Sequence, residues 1–238
     1  MGEHAPQPDC GLSRRDALLM LGAALLAGPA AAQSPAAMPS CVVTPEQTEG
    51  PYFSDFMLNR SDIRSDPTDG SVKAGIPLAL TLRVLAVEGS RCAPLPGAIV
   101  DVWHCDASGA YSDSIDANFD TRGKKFLRGY QVSDADGVAR FTSIFPGSYP
   151  GRAVHVHFKV RMKARSGRDA EFTSQLYFPD RVNDRVLASG PYARPGRNVL
   201  RNENDGLFRR GGRSLMAEIA DAPGGGFHAR FDVGVALV

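Results

Sequence analysis

Two histidines, His155 and His157, stand two residues apart in the second half of the chain. Apolar and polar residues alternate around them from Val154 to Arg161. A period of two is typical of a β-strand, so we expect both imidazoles to project from one face while Val156 and Phe158 enter the core. Two imidazoles side by side on a stiff strand supply half of a metal site, although a half-solvated polar face gives the same pattern.

Two tyrosines come from turns that flank predicted strands. Tyr149 lies in a Pro/Gly-rich turn just before the histidine strand, and Tyr111 follows a turn at 106–109. Alone, a tyrosine after a turn is most often a packing residue. Two phenolates with two neutral imidazoles would favour ferric iron over zinc, copper or ferrous iron, because a phenolate is an anionic oxygen donor that suits a hard, highly charged cation. No acidic residue stands next to the histidine pair, unlike in ferrous oxygenases, which use two histidines and a carboxylate.

Short strands separated by frequent turns must position these side chains. We expect strands at 78–84, 98–104, 128–133, 138–144, 154–161, 173–178 and 227–238. Asp134-Ala-Asp-Gly137 indicates a hairpin between the third and fourth of them. Only the range 207–220 suggests a helix, and weakly. With 25 glycines and 17 prolines, the pattern predicts an all-β fold, a β-sandwich with long connecting loops and little helix.

The first 32 residues have the features of an export signal. Arg14 and Arg15 precede an Ala/Leu/Gly run, and Ala30-Ala-Ala32 offers a cleavage site. This order predicts a twin-arginine signal peptide over 1–32, and therefore a periplasmic or secreted bacterial protein. Residues 33–43 then form a linker, and 44–238 a single catalytic domain.

Charge and cysteines limit the partners and the compartment. The formal net charge of +1 gives no electrostatic argument for binding nucleic acid or a membrane surface. Cys41 and Cys92 lie in loop-like sequence and are the predicted disulfide of an oxidising compartment, whereas Cys105 is expected to be a buried thiol. The cysteine spacing matches no zinc pattern. Self-association into a homo-oligomer stays open.

Five blocks of sequence follow one another over about residues 44–180. They are Thr48-Glu-Gly-Pro-Tyr52, Val102-Trp-His-x-x-x-x-Gly-x-Tyr111, Arg128-Gly-Tyr-Gln-Val-Ser-Asp-Ala-Asp-Gly137, Pro146-Gly-Ser-Tyr-Pro-Gly-Arg-x-x-His-x-His157 and the weaker Ser174-Gln-Leu-Tyr-Phe178. In these blocks the chain resembles the intradiol ring-cleavage dioxygenases. That non-haem Fe(III) family includes the catechol and protocatechuate 3,4-dioxygenases, and the pattern is most similar to its short, exported, protocatechuate-type members.

The resemblance implies a ligand set, a reaction and a fold. The iron ligands would be Tyr111, Tyr149, His155 and His157. Fe(III) and O2 would cleave a small aromatic diol between its hydroxylated carbons and give a cis,cis-muconate-type product. Further residues are implied in catalysis or substrate binding: Arg152 and Gln175 in both, Tyr149 in catalysis as the ligand that departs, and Tyr52 as an aromatic wall of the substrate pocket.

Two other functions remain open from the sequence. The turn-rich strands also resemble transthyretin-like and carboxypeptidase-regulatory sandwiches, which are binding or structural modules without a metal. A zinc hydrolase is less favoured, because no carboxylate accompanies the histidines.

Overall fold

The computed structural model describes residues 1–2, 42–116, 119–194 and 199–237, and nine strands within these ranges form two sheets. Their bounds are β1 (Pro77–Glu88), β2 (Arg91–Pro94), β3 (Ile99–Trp103), β4 (Arg128–Val132), β5 (Val138–Ile144), β6 (His155–Lys163), β7 (Asp169–Tyr177), β8 (Glu218–Asp221) and β9 (Phe227–Ala236). In the five-stranded sheet, β1 pairs with β9 in parallel and with β2 and β5 antiparallel, and β8 continues the sheet beyond β9. The four-stranded sheet runs β4-β3-β6-β7, and all of its pairs are antiparallel.

One apolar core lies between the two sheets. It contains Leu80 and Leu82 from β1 and Val156 and Phe158 from β6, all fully buried. The apolar faces that the alternation predicts for these strands therefore pack against each other across this core. This arrangement confirms the predicted β-sandwich.

The predicted hairpin between β4 and β5 is wrong, although its turn is present. The Asp134 N–H donates to the Val138 carbonyl at 3.0 Å, as in a tight turn. Gly137 has a φ of +75°, and a Cβ there would lie 2.4 Å from the Val84 carbonyl oxygen of β1. The strands then diverge: β4 pairs with β3, and β5 pairs with β1 in the other sheet. The Asp-Gly signal therefore specifies a turn between the sheets, and burial decides which strands pair.

The expected helix over 207–220 is also wrong. That range holds a 3₁₀ turn at Gly212–Leu215 and most of β8, and Gly211 interrupts it with a φ of +102°. An α-helix, α1, occurs instead at Asp180–Leu187, directly after Pro179. Val182 and Val186, four residues apart on this helix, are buried against the core, so tertiary packing supports a helix too short to be stable alone.

Several predictions fall outside the described residues. The chain divides into two units, Met1–Met38 and Pro39–Val238, and nearly all of the first unit, with the signal peptide and most of the linker, is not described. Cys92 is disulfide-bonded, but Cys41 is not described, so this pairing stays a prediction. Cys105 is buried as expected. Within the described ranges no helix has the length and apolarity to cross a membrane.

Candidate metal centre

The strand β6 directs both histidines to one face, as its sequence predicts. His155 and His157 project from the face opposite Val156 and Phe158, which are 0% exposed in the core. Loops cover the imidazole face as well, so the two histidines are only 2% and 1% exposed. The ring of Trp103 on β3 stacks on His157, with centroids 5.0 Å apart and planes 9° apart. The alternative interpretation of the sequence, a half-solvated polar face, is therefore wrong, because the face that carries the two histidines is buried.

The two tyrosines reach the same face from loops. Tyr111 follows β3 and is 2% exposed. Its position is set by Asp106, whose backbone N–H donates to the Ala110 carbonyl at 2.8 Å and whose carboxylate accepts the Ala110 N–H at 3.1 Å. Tyr149 lies in the turn before β6, two residues after Gly147. A Cβ on Gly147 would lie 2.4 Å from the Asp106 carbonyl oxygen, so only glycine allows the two loops to meet this closely.

The four side chains converge on one point. The Nε2 atom of His155 lies 3.3 Å from the Tyr111 hydroxyl oxygen, 3.1 Å from the Tyr149 hydroxyl oxygen and 3.1 Å from Nε2 of His157. The Nδ1 atom of His155 lies 2.6 Å from the Ala153 carbonyl oxygen. That contact places the imidazole proton on Nδ1 and leaves the lone pair of Nε2 directed at the other three atoms.

These separations fit a cation. Atoms 3.1–3.3 Å apart have the spacing of neighbouring ligands around an ion with bonds of about 2 Å. Among the described residues no group of three or more His, Cys, Asp or Glu side chains forms a metal site, so the set of donors here is two imidazoles and two phenols. That donor chemistry fits the predicted ferric ion better than zinc or ferrous iron.

Burial keeps all four donors uncharged while no cation is bound. Burial lowers the pKa of His155 to about 3, and burial followed by the proximity of His155 lowers the pKa of His157 well below its usual range. Burial also raises the pKa of Tyr111 and Tyr149, although the Arg152 charge lowers it in both cases. Protons therefore do not compete for the imidazoles at neutral pH, and the phenols lose theirs only to a strong cation.

Arg152 lies at the edge of this centre. Its Nη1 atom is 3.4 Å from Nε2 of His155, its Nη2 donates to Oε1 of Gln175 at 2.6 Å, and its Nε donates to Asp205 at 2.9 Å. Gln175 is 0% exposed and donates through Nε2 to the Thr48 carbonyl at 2.9 Å. Gln175 therefore contacts Arg152 and the N-terminal segment, and it reaches the centre through the guanidinium.

Tyr52 forms an aromatic wall beside the phenols. Its ring stacks on Tyr111, with centroids 4.3 Å apart and planes 11° apart, and meets Tyr149 edge-on at 6.1 Å. The structure thus brings together every residue that the sequence nominated: Tyr52, Tyr111, Tyr149, Arg152, His155, His157 and Gln175. Their roles stay predictions.

Sequence reasoning missed three residues of the site. Trp103 and Tyr177 stand inside the matching blocks, so their signal was present without an assigned role. The Tyr177 hydroxyl accepts from Nη2 of Arg152 at 3.3 Å and donates to Gln47 at 2.9 Å. Asp205 gave no signal, because it stands 53 positions after the arginine that it binds.

Among the described residues one further histidine, His104, is buried, and its contacts serve the fold. Its Nε2 lies 2.7 Å from the Ser143 hydroxyl and its Nδ1 lies 2.8 Å from the Cys105 carbonyl oxygen. Burial lowers the pKa of His104 to about 4, below the value of about 6.5 for an unfolded chain. Between these two pH values the unfolded state binds the extra proton, so the free energy of unfolding should fall as the pH decreases.

We therefore expect acid to destabilise the metal-free protein partly through His104. The difference in pKa is worth about 3 kcal/mol between pH 6.5 and pH 4. Denaturant unfolding of His104→Gln should show a shallower loss of stability over this range than the wild type. His228→Gln, at an exposed position of β9, is the control. Parallel pH profiles for wild type and His104→Gln would contradict the assignment.

Comparisons with known proteins agree with this geometry. A family model described as dioxygenase matches residues 48–207. The protocatechuate 3,4-dioxygenase beta chain of Burkholderia cepacia is 34% identical over an alignment of 138 residues, and the match covers 53% of this chain and 55% of that one. The chain thus spans about half the length of this curated relative.

Solved structures cover more of the chain. An intradiol ring-cleavage dioxygenase from Tetranychus urticae superposes with a TM-score of 0.71 at 30% identity, over 83% of this chain and 96% of that one. The dioxygenase domain of a dioxygenase–carbohydrate-binding protein fusion from Streptomyces sp. SirexAA-E gives a TM-score of 0.59 at 30% identity, over 83% of this chain and all of that domain.

Proposed function

The chain belongs to the intradiol ring-cleavage dioxygenase family, and on this premise we propose that it uses Fe(III) and O2 to cleave a catechol-type diol between the two hydroxylated carbons. The product would be a cis,cis-muconate-type diacid. One observation carries the proposal: two phenol oxygens and two imidazole nitrogens meet at one point beside a guanidinium. The similar proteins favour this enzyme over the non-catalytic sandwich module.

Tyr111, Tyr149, His155 and His157 would hold the iron. When bound, Fe(III) supplies a Lewis acid that favours the doubly deprotonated form of a chelating diol and makes its ring reactive towards O2. The protein fixes the direction of the imidazoles by the β6 ladder and by the contact between His155 and the Ala153 carbonyl. Burial of the phenols and imidazoles keeps water away from the reacting groups.

Tyr149 is the phenol best placed to move and to take up a substrate proton at its hydroxyl oxygen. It is less buried than Tyr111, and it lies in the turn before β6 rather than on the strand that carries the two histidines. Gly151, on the far side of that turn, has a φ of +81°, and a Cβ there would meet nothing within 4 Å. A diol that has lost both protons carries two negative charges, so the departure of one anionic side chain would lower the cost of binding it. Tyr149 would then act as the general base.

Arg152 would stabilise negative charge that develops on the substrate. Its guanidinium is held by Asp205 and Gln175, so it need not reorganise during the reaction. Gln175 would orient this cation, and Tyr52 would face the plane of the aromatic ring. With these assignments, a bound diol would have a positive charge on one side and an aromatic ring on another.

Colour and oxygen consumption test the function together. We expect the iron-loaded protein to be burgundy to red, from charge transfer between tyrosinate and Fe(III), and to consume one O2 for each diol cleaved. A panel of catechol, protocatechuate, hydroxyquinol and chlorinated catechols, followed by an oxygen electrode with the product identified by mass spectrometry, would find the substrate. A colourless protein that consumes no O2 with any of them would refute the proposal in favour of the binding module.

A further inference from the structure

Asp205 lies outside the resemblance blocks, yet its carboxylate binds Arg152 at the edge of the metal centre. We infer that Asp205 is a positioning residue that fixes the Arg152 guanidinium for the reaction. The inference rests on the proposed function, since the role of Arg152 belongs to that proposal. Asp205 follows a short 3₁₀ turn at Asn202–Asn204 and is 0% exposed.

Both oxygens of this carboxylate are occupied, and each holds a different part of the chain. Oδ2 accepts from Nε of Arg152 at 2.9 Å and from the backbone N–H of Ala153 at 2.8 Å. Oδ1 accepts from the backbone N–H groups of Leu207 at 2.7 Å and Phe208 at 3.2 Å. One oxygen therefore anchors the carboxylate to its own loop, and the other fixes the arginine.

The guanidinium has three further contacts, but the carboxylate is its only anionic partner among the described residues. Nη2 of Arg152 donates to Gln175 at 2.6 Å and to Tyr177 at 3.3 Å, and Nη1 lies 3.4 Å from Nε2 of His155. Asp205 binds Nε, on the other side of the planar group. Contacts on both sides fix the plane of the guanidinium. The neutral partners on one side alone would not fix it.

Asparagine cannot replace this carboxylate. It has one oxygen and one NH2 group in place of two oxygens. Two of the four N–H groups that now donate to the carboxylate would therefore face an NH2 group, which cannot accept a hydrogen bond. If the NH2 group faces the arginine, then both Nε of Arg152 and the Ala153 N–H lose their acceptor. The guanidinium would then keep its charge and lose its fixed direction.

A double-mutant cycle of Asp205→Asn and Arg152→Ala tests the inference in the iron-loaded enzyme. Asp205→Asn should keep the iron and the colour and should lower kcat by about 10- to 100-fold, as for other residues that orient a catalytic group. In the Arg152→Ala background the same change should lower kcat by less than about twofold, because the group that it positions is gone. Asp66→Asn is the matched control, since Asp66 is also a 0% exposed carboxylate that accepts backbone N–H groups, from Thr68 and Lys125. Its kcat should stay within about twofold of wild type.

Unfolding of the metal-free protein gives a second measurement that does not depend on turnover. The two substitutions should couple, so that the double variant loses less stability than the two single variants together, because Arg152→Ala alone leaves Asp205 buried without its cation. Additive effects on both kcat and unfolding, or loss of iron from Asp205→Asn, would overturn the positioning role. If wild type cleaves no diol, the proposed function fails, and the unfolding cycle still decides whether Asp205 fixes Arg152.

Discussion

Tyr111→Phe should lose one phenolate-to-iron charge-transfer band and weaken iron binding by more than about 100-fold. The expected loss is this large because removing a residue that only supports a ligand already weakens metal binding by about 10- to 100-fold. The substitution deletes a single oxygen, 3.3 Å from Nε2 of His155, and leaves the ring stacked on Tyr52. Because Tyr111 is 2% exposed, water cannot readily take the place of the lost phenolate. The protein would then hold iron by three side chains, and its diol-dependent O2 consumption should fall at least in proportion to the iron content.

Iron per chain, the visible spectrum and O2 uptake should be measured on the same preparations. Tyr130→Phe is the control, because Tyr130 is a half-buried tyrosine of β4 outside the centre. Tyr149→Phe gives a useful comparison: it should also lose charge-transfer intensity, and in addition lose the group proposed to take up the substrate proton. If Tyr111→Phe binds iron as tightly as wild type and keeps the full colour, Tyr111 is not a ligand.

The parts of this site that the sequence predicted are those set by local patterns. The alternation around His155 and His157 is enough to place both imidazoles on one face of a strand, because side-chain direction in a strand depends only on position. The Pro/Gly-rich turn before β6 likewise places Tyr149 next to that face. The turn at 106–109 had already pointed to Tyr111, and the resemblance blocks added Tyr52, Arg152 and Gln175, which no periodic pattern links to the histidines.

The parts that the sequence did not predict depend on contacts between distant segments. The Asp134–Gly137 turn is local and was correct, whereas the pairing of β4 with β3 and of β5 with β1 depends on which faces the whole sandwich buries. Asp205 meets Arg152 across 53 residues with no pattern to indicate it. Burial of the histidine face by loops is a third example, because a strand with alternating polarity normally leaves its polar face in water.

A substitution of Arg152 should affect turnover without affecting iron binding, because Arg152 contacts the centre but is not among the four converging donors. In Arg152→Ala those donors are intact, so we expect iron content and colour to remain near those of wild type. Turnover should fall by about 10²- to 10³-fold, the range found when one preorganised donor to developing negative charge is removed. KM for the diol should change less than kcat, because the cation acts on charge that grows during the reaction.

The same substitution also leaves the Asp205 carboxylate buried, with 1% of its side chain exposed and no cation beside it, so a loss of stability is expected as well. Assays should therefore be run well below the unfolding temperature of the variant.

Arg83→Ala, which breaks an ion pair with Asp232 between β1 and β9, controls for the loss of an arginine that does not touch the centre. Arg152→Lys keeps the charge but cannot bind Asp205 and Gln175 at once through a planar fork, and should fall between Arg152→Ala and wild type. Turnover by Arg152→Ala at the wild-type rate would show that the guanidinium has no role in the reaction, and would leave its contacts with Asp205 and Gln175 as support for the fold alone.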